Sequence, residues 1–299
     1  MLKLRHLLII PLLILLHSSA FAAKLRVITT YPYIASLVKQ IGMDRVNVQS
    51  LANGQWDPHV IIPKPSYISK LRRADLLVIN GAQMEIGWLP PIMQQANNPK
   101  ILQESAGFLD LSKQIKLIDV PRGVSRAEGD IHPDGNPHYY LDPYNIPPLY
   151  RAILKKLCEL DSLNAEYYRA NYAQFDKDWK GRLKYWDGQM AKLKGTKVVE
   201  YHKNYDYLLR RYKITLAATL EPLPGIPPTS KHIEEVEQVI RRTKAPLILH
   251  DVYNSDSAAR YLSGRLGIRI VKLPHDVGAV REAEGIFTLF DEIVRRLTR

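Results

Sequence analysis

A single cysteine, Cys158, stands in a chain of 299 residues. One thiol cannot form an intramolecular disulfide, and it leaves no thiolate set for copper(I) or iron–sulfur chemistry. In the stretch Ile153-Leu154-Lys155-Lys156-Leu157-Cys158 it reads as a small helix hydrophobe. No His-Glu-x-x-His motif occurs, so the compact signature of a zinc peptidase is missing. Beyond the N-terminus no apolar run approaches the length that spans a bilayer. Basic residues are plentiful and the formal charge is +12, but Lys and Arg are scattered among acidic residues. Without a polybasic run, nucleic acid is not an expected partner.

The N-terminus carries Lys3 and Arg5, then an apolar run from Leu7 to Leu16, then the small-residue pattern Ala20-Phe21-Ala22. This order reads as a signal peptide over residues 1–22, cut after Ala22. The expected localisation is periplasmic. Residue 23 is alanine and not cysteine, so the expectation is a secreted chain without a lipid anchor.

The remaining chain is long enough for two lobes, each with its own core. Short β-branched runs alternate with helical patterns. Strands are expected at Leu25–Thr29, Val46–Val48, Leu76–Ile79 and Lys100–Leu102, and again at Lys197–Glu200, Ile214–Leu216, Leu247–Leu249 and Arg269–Lys272. Alternation of this kind predicts two α/β lobes with mostly parallel four-stranded sheets. Between them Tyr168, Tyr172, Phe175, Trp179, Leu183, Trp186, Met190 and Leu193 recur at spacings of three and four. They predict one long rigid helix from Ala165 to Leu193, about 43 Å at 1.5 Å per residue, ended at Gly195. The expected organisation is therefore an N-terminal lobe over 23–164, a linking helix over 165–194 and a C-terminal lobe over 195–299.

Four segments place donor groups in loops. Gln55-Trp56-Asp57-Pro58-His59 offers His59, and Pro137-His138-Tyr139-Tyr140-Leu141-Asp142-Pro143 offers His138, with a proline at each end expected to keep that backbone extended. Glu200-Tyr201-His202 offers His202, and Leu273-Pro274-His275-Asp276 offers Asp276. Ligands of open α/β sheets bind beyond the carboxyl ends of strands, where three of these donors are expected. Two donors come from each lobe, which puts the metal site in the inter-lobe cleft. Three imidazoles and one carboxylate suit a tetrahedral, borderline ion such as zinc.

With these segments in view, the chain resembles the cluster A-I (family 9) solute-binding proteins of zinc and manganese ABC transporters. The resemblance rests on Asp57-Pro58-His59 followed by Pro63-Lys64-Pro65-Ser66, on Pro137 to Pro143, and on His202 followed by Tyr205, Tyr207 and Tyr212. It implies Asp276 as the last ligand, although Val277 stands where the family often has proline. It also implies two lobes joined by a single helix with modest motion on loading, and a cargo of Zn(2+) over manganese because the third ligand is histidine. The implied partner is the membrane permease of a zinc ABC transporter, with a periplasmic metal donor protein left open as a second, and the chain is expected to act as a monomer without catalysis. An exported zinc-dependent hydrolase and a manganese-specific binding protein are the alternative readings. The long histidine-rich loop of many zinc members is missing. The nearest segment is Glu128 to Asp134, where His132 either collects zinc, contacts a donor protein or is incidental in a solvated loop. His275 reads as a decoy, a group supporting the ligands or an alternative ligand, His250 and Asp251 are expected to support the cleft, and His232 to sit at the surface of a helix start.

Overall fold

The computed structural model describes residues 24–121 and 132–299. The signal-peptide reading of residues 1–22 lies outside the described residues. The first half runs β1 (Leu25–Thr29), α1 (Pro32–Gly42), β2 (Val46–Ser50), α2 (Pro65–Arg72), β3 (Leu76–Ile79), α3 (Leu89–Ala96) and β4 (Phe108–Asp110). Helices α4 (Ile146–Leu160) and α5 (Ala165–Met190) follow. The second half runs β5 (Lys197–Glu200), α6 (Asp206–Arg211), β6 (Thr215–Thr219), α7 (Ser230–Thr243), β7 (Leu247–His250), α8 (Ser257–Leu266), β8 (Arg269–Lys272) and α9 (Ile286–Thr298).

Both sheets are parallel, with orders β2-β1-β3-β4 and β6-β5-β7-β8. In each, the order reverses beside the first strand, and that reversal opens a crevice beyond the carboxyl ends. The central strands β3 and β7, Leu-Leu-Val-Ile and Leu-Ile-Leu-His, are nearly continuous apolar runs because both faces are covered.

The expected strand at Lys100–Leu102 is not one. Pro99 to Ile101 form a 3-10 turn, started by the Asn98 side chain, which accepts from the Lys100 N–H. Proline at the first helical position and an Asn cap favour that turn over extension. The fourth strand instead is β4, a half-buried edge of three residues beside β3.

Helix α5 carries the aromatic stripe, and the turn continues as a 3-10 segment over Ala191–Leu193. Gly195 closes it at φ +81°, a left-handed backbone that glycine adopts without steric cost. Phe175 stacks on Tyr150 of α4 at 3.8 Å, and Trp179 and Trp186 pack against Phe290 of α9 at 5.5 and 5.2 Å. Both indole N–H groups are satisfied, Trp179 donating to the Pro143 carbonyl and Trp186 to Asp291 Oδ1. The helix is thus pinned on one side by the first half of the chain and on the other by α9.

The main apolar core does not divide between the lobes. It runs from Val27, Leu37 and Leu77 through Trp179 and Trp186 to Val198, Leu249 and Phe290, and a separate small cluster around Val199, Val236 and Ile248 lies on the far face of the second sheet. The expectation of one core per lobe fails because α5 and α9 fill the space between the sheets.

Candidate metal centre

His59 sits in the loop that leaves β2 and crosses the carboxyl edge of the first sheet. Asp57 shapes it: its Oδ1 accepts the His59 backbone N–H at 2.9 Å and faces His59 Nδ1 at 3.0 Å. Burial pushes the Asp57 carboxyl up, but the His59 hydrogen bond and charge hold it below its ordinary range.

His138 is buried. Its backbone N–H donates to Asn136 Oδ1, and the Pro137 carbonyl accepts from Asn80 at the end of β3. The flanking prolines do not keep this segment extended. His138 has φ −83° and ψ 27° and leads into a 3-10 turn over Tyr139–Leu141. The Tyr139 hydroxyl, donating to the Asn80 carbonyl at 2.5 Å, and the stack of Tyr140 on Tyr33 at 4.1 Å hold that turn.

His202 follows β5 directly. Its Nδ1 lies 2.7 Å from Glu221 Oε2, in the loop that follows β6. Glu221 also accepts the Gly225 N–H. Sequence reasoning missed Glu221; its signal was a carboxylate just past a strand on the same sheet edge as His202.

The structure brings three of the four expected donors together. One ligand atom from each of His59, His138 and His202 lies within 4.8 Å of the others. The ring centroids are 5.0 to 5.4 Å apart. His59 Nε2 and both ring nitrogens of His138 are buried without a hydrogen-bond partner. Burial, then the neighbouring imidazoles, holds His138 well below the ordinary histidine range, so its ring stays neutral. Imidazole nitrogens converging in this way form a cage for a cation that accepts imidazole.

Asp276 is not a member of this group of three. Its Oδ1 accepts the backbone N–H of Tyr33, in the first turn of α1, at 2.7 Å and that of Val277 at 2.6 Å. Burial pushes its carboxyl up to about 8. A helix N-terminus offers free N–H groups and a favourable dipole to a carboxylate, and this competition was invisible in sequence.

The other histidines divide. His132 itself is half-buried: its ring lies 5.2 Å from that of His59, and it shares the wall of a cavity of about 140 Å³ with His138 and His202. Burial, with His59 and His202, pushes it down to about 3. His275 turns away, its Nε2–H donating to the Trp56 carbonyl across the lobes, with Tyr253 edge-on at 4.7 Å. Asp251 holds the Tyr253 and Asn254 N–H groups and so shapes the cleft wall. His232, in the first turn of α7, donates to the Thr219 carbonyl.

Asp142, in the motif around His138, ties the lobes. It takes a two-pronged contact from Arg211 of α6 at 2.9 to 3.2 Å, and Arg211 also lies over the Tyr144 ring.

Comparison with known proteins gives a consistent picture. The family model described as "Zinc-uptake complex component A periplasmic" matches residues 27–299. The chain is 24% identical over 258 residues to the zinc-binding lipoprotein AdcA of Streptococcus pneumoniae serotype 4, covering 82% of this chain and 49% of that protein. It therefore spans about half the length of that relative. It is also 24% identical over 238 residues to the manganese ABC transporter substrate-binding lipoprotein PsaA of Streptococcus pneumoniae, covering 77% of this chain and 72% of the relative. Its fold matches a crystal structure of ZnuA with a TM-score of 0.77 at 20% identity, covering 92% of this chain and 98% of that one. The Mn-bound periplasmic metal-binding protein of Candidatus Liberibacter asiaticus has the same TM-score at 19% identity, with the same coverage. The sequence relatives correct one expectation. AdcA and PsaA are named lipoproteins, which overturns the reading of a chain without a lipid anchor. Among the described residues no helix is long and apolar enough to cross a membrane.

Proposed function

The chain belongs to the family of the periplasmic zinc-uptake component ZnuA, among the substrate-binding proteins of metal ABC transporters, and from that premise we propose that it carries one Zn(2+) as cargo to a membrane permease. The observation that carries this reading is the convergence of His59, His138 and His202, with the buried His59 Nε2 and both His138 ring nitrogens lacking any other partner. Imidazole suits zinc, whereas manganese prefers oxygen donors. None of the three converging groups is a carboxylate. The two lobes each contribute, so an ion seated there ties the loop after β2 and the turn at His138 to the end of β5.

In this reading the three imidazoles donate neutral nitrogens, and the ion's fourth position is left to water. Asp276 stays with the N-terminus of α1. The cargo is held and released unchanged, so no group of the site acts as an acid or a base on a substrate. The partner is an ABC permease, and the chain works as a monomer.

Titration of metal-free protein with zinc should saturate at one equivalent. Competition should favour zinc over manganese by at least about 100-fold, as the donor set requires. Manganese binding as tightly as zinc would overturn the cargo assignment, and two tight equivalents would overturn the single site. Zinc-loaded protein should stimulate ATP hydrolysis by its transporter in vesicles, and turnover of ester or peptide substrates that disappears with chelator would favour the hydrolase instead.

A further inference from the structure

Three neutral imidazoles give a divalent ion ligands but no charge. His138 is 1% exposed, so the two charges of the ion would enter a site shielded from water, where an uncompensated charge is costly. The expected source of negative charge, Asp276, is engaged with backbone N–H groups at α1. Two other carboxylates stand one hydrogen bond outside the cage. Asp57 Oδ1 is 3.0 Å from His59 Nδ1, and Glu221 Oε2 is 2.7 Å from His202 Nδ1. One comes from each lobe. Both ring nitrogens of His138 lack any such partner.

We propose that Asp57 and Glu221 together neutralise the bound ion through the imidazoles of His59 and His202, and so tune the site to a divalent cation over a monovalent one. Each carboxylate accepts the Nδ1–H, which fixes the tautomer and leaves Nε2 with its lone pair toward the ion. The same contact makes the ring a stronger donor and places a full negative charge just across the imidazole from the metal. The pairs are unequal. Glu221 and His202 have side chains only 9% and 11% exposed, whereas the Asp57 side chain is 35% exposed. Water screens Asp57 more, so Glu221 carries the larger share. The two pairs also divide the labour between lobes, because neutralisation is complete only when the loop after β2 and the loop after β6 face the same ion.

This inference rests on the three-histidine reading above, and its test separates the two. Glu221→Gln and Asp57→Asn keep an oxygen that accepts the Nδ1–H, and each also keeps its backbone contact, to Gly225 and His59 respectively. They remove only the charge. Titration calorimetry in nitrate buffer, with Zn(2+) and Ag(+) as probes, should show zinc weakened about 10- to 100-fold by Glu221→Gln. Asp57→Asn should lose less, and the double variant should lose most. A charge effect scales with the charge of the ion, so Ag(+) should lose about half as many decades as Zn(2+). Equal losses for the two ions would reduce the carboxylates to mere orientation and overturn the proposal, as would unchanged zinc affinity in both variants. His138→Ala tests the cage itself, since that ring touches neither carboxylate. Loss of tight binding of both ions there leaves the cage standing whatever the amide variants do, and retained zinc affinity would sink the cage.

Discussion

His275 shows how one buried side chain writes a pH dependence into the fold. It is enclosed at 1% exposure, its Nε2–H is spent on the Trp56 carbonyl, and burial pushes its ring down to about 4. In the unfolded chain it titrates at about 6.5. The unfolded state therefore binds the extra proton over that window, so the folded state loses stability as pH falls from about 6.5 to about 4. The melting temperature of metal-free protein should drop across this range, and His275→Gln, whose amide can still donate to the Trp56 carbonyl, should drop less. Parallel curves for the two proteins would show that the ring titrates normally in the fold. The cage residues give a second test at this scale. His59→Ala, His138→Ala and His202→Ala should each weaken zinc by about 100-fold or more, since each removes a ligand. His232→Ala, which loses the bond to the Thr219 carbonyl and the contact with Glu235, both outside the cage, should stay within about twofold of wild type.

At the scale of loops and helices, the loop between β2 and His59 packs too tightly for a side chain at Gly54. A side chain at Gly54 would place its Cβ 2.1 Å from the Val277 carbonyl and 2.9 Å from the Ala279 nitrogen. Those are backbone atoms of the loop after β8 and cannot rotate away. Gly54→Ala should therefore push the two loops apart, cost about 1–3 kcal/mol of stability as overpacking does, and weaken zinc by displacing His59. An alanine variant with native melting temperature and native affinity would show that the loops move freely past each other. In α5 the corresponding weak point is Trp179, 1% exposed between Phe175, Trp186 and Phe290 with its N–H on Pro143. Trp179→Ala should cost about 3–5 kcal/mol, the usual loss for a buried aromatic, as read from denaturant melts.

For the whole molecule, the shared core and the spine α5 leave the two sheets little freedom. A polar seam strengthens the tie: Arg211 grips Asp142, the Tyr207 hydroxyl donates to the Asn136 carbonyl, and the Asn136 side chain donates to the Lys203 carbonyl. The Asp142 side chain is only 5% exposed. Arg211→Met would leave that carboxylate buried without its partner and should lower stability by about 1–3 kcal/mol, less than for a fully enclosed pair because the arginine is partly solvated. Loading should be a local tightening of loops around the ion. The radius of gyration from X-ray scattering should change by less than about 1 Å on zinc binding, and a larger contraction would mean that the lobes close as separate bodies.

Periodicity and turn chemistry determine most of the architecture. Seven of the eight strands, the long helix with its aromatic stripe and its stop at Gly195 were legible, because local propensity and burial pattern agree at those positions. The eighth was misplaced at Lys100–Leu102, where an Asn cap and a proline outweigh a short apolar run. The identity of His59, His138 and His202 as candidates was also legible, since each is a donor in a loop past a sheet edge or between prolines. Tertiary structure alone decided the rest. It gave Asp276 to the N–H groups of α1, brought His132 to the cavity wall, joined the two lobes through one core, and set Asp57 and Glu221 behind two of the three imidazoles. These outcomes depend on which groups from distant parts of the chain compete for the same buried partner, and spacing along a sequence carries no information about that competition.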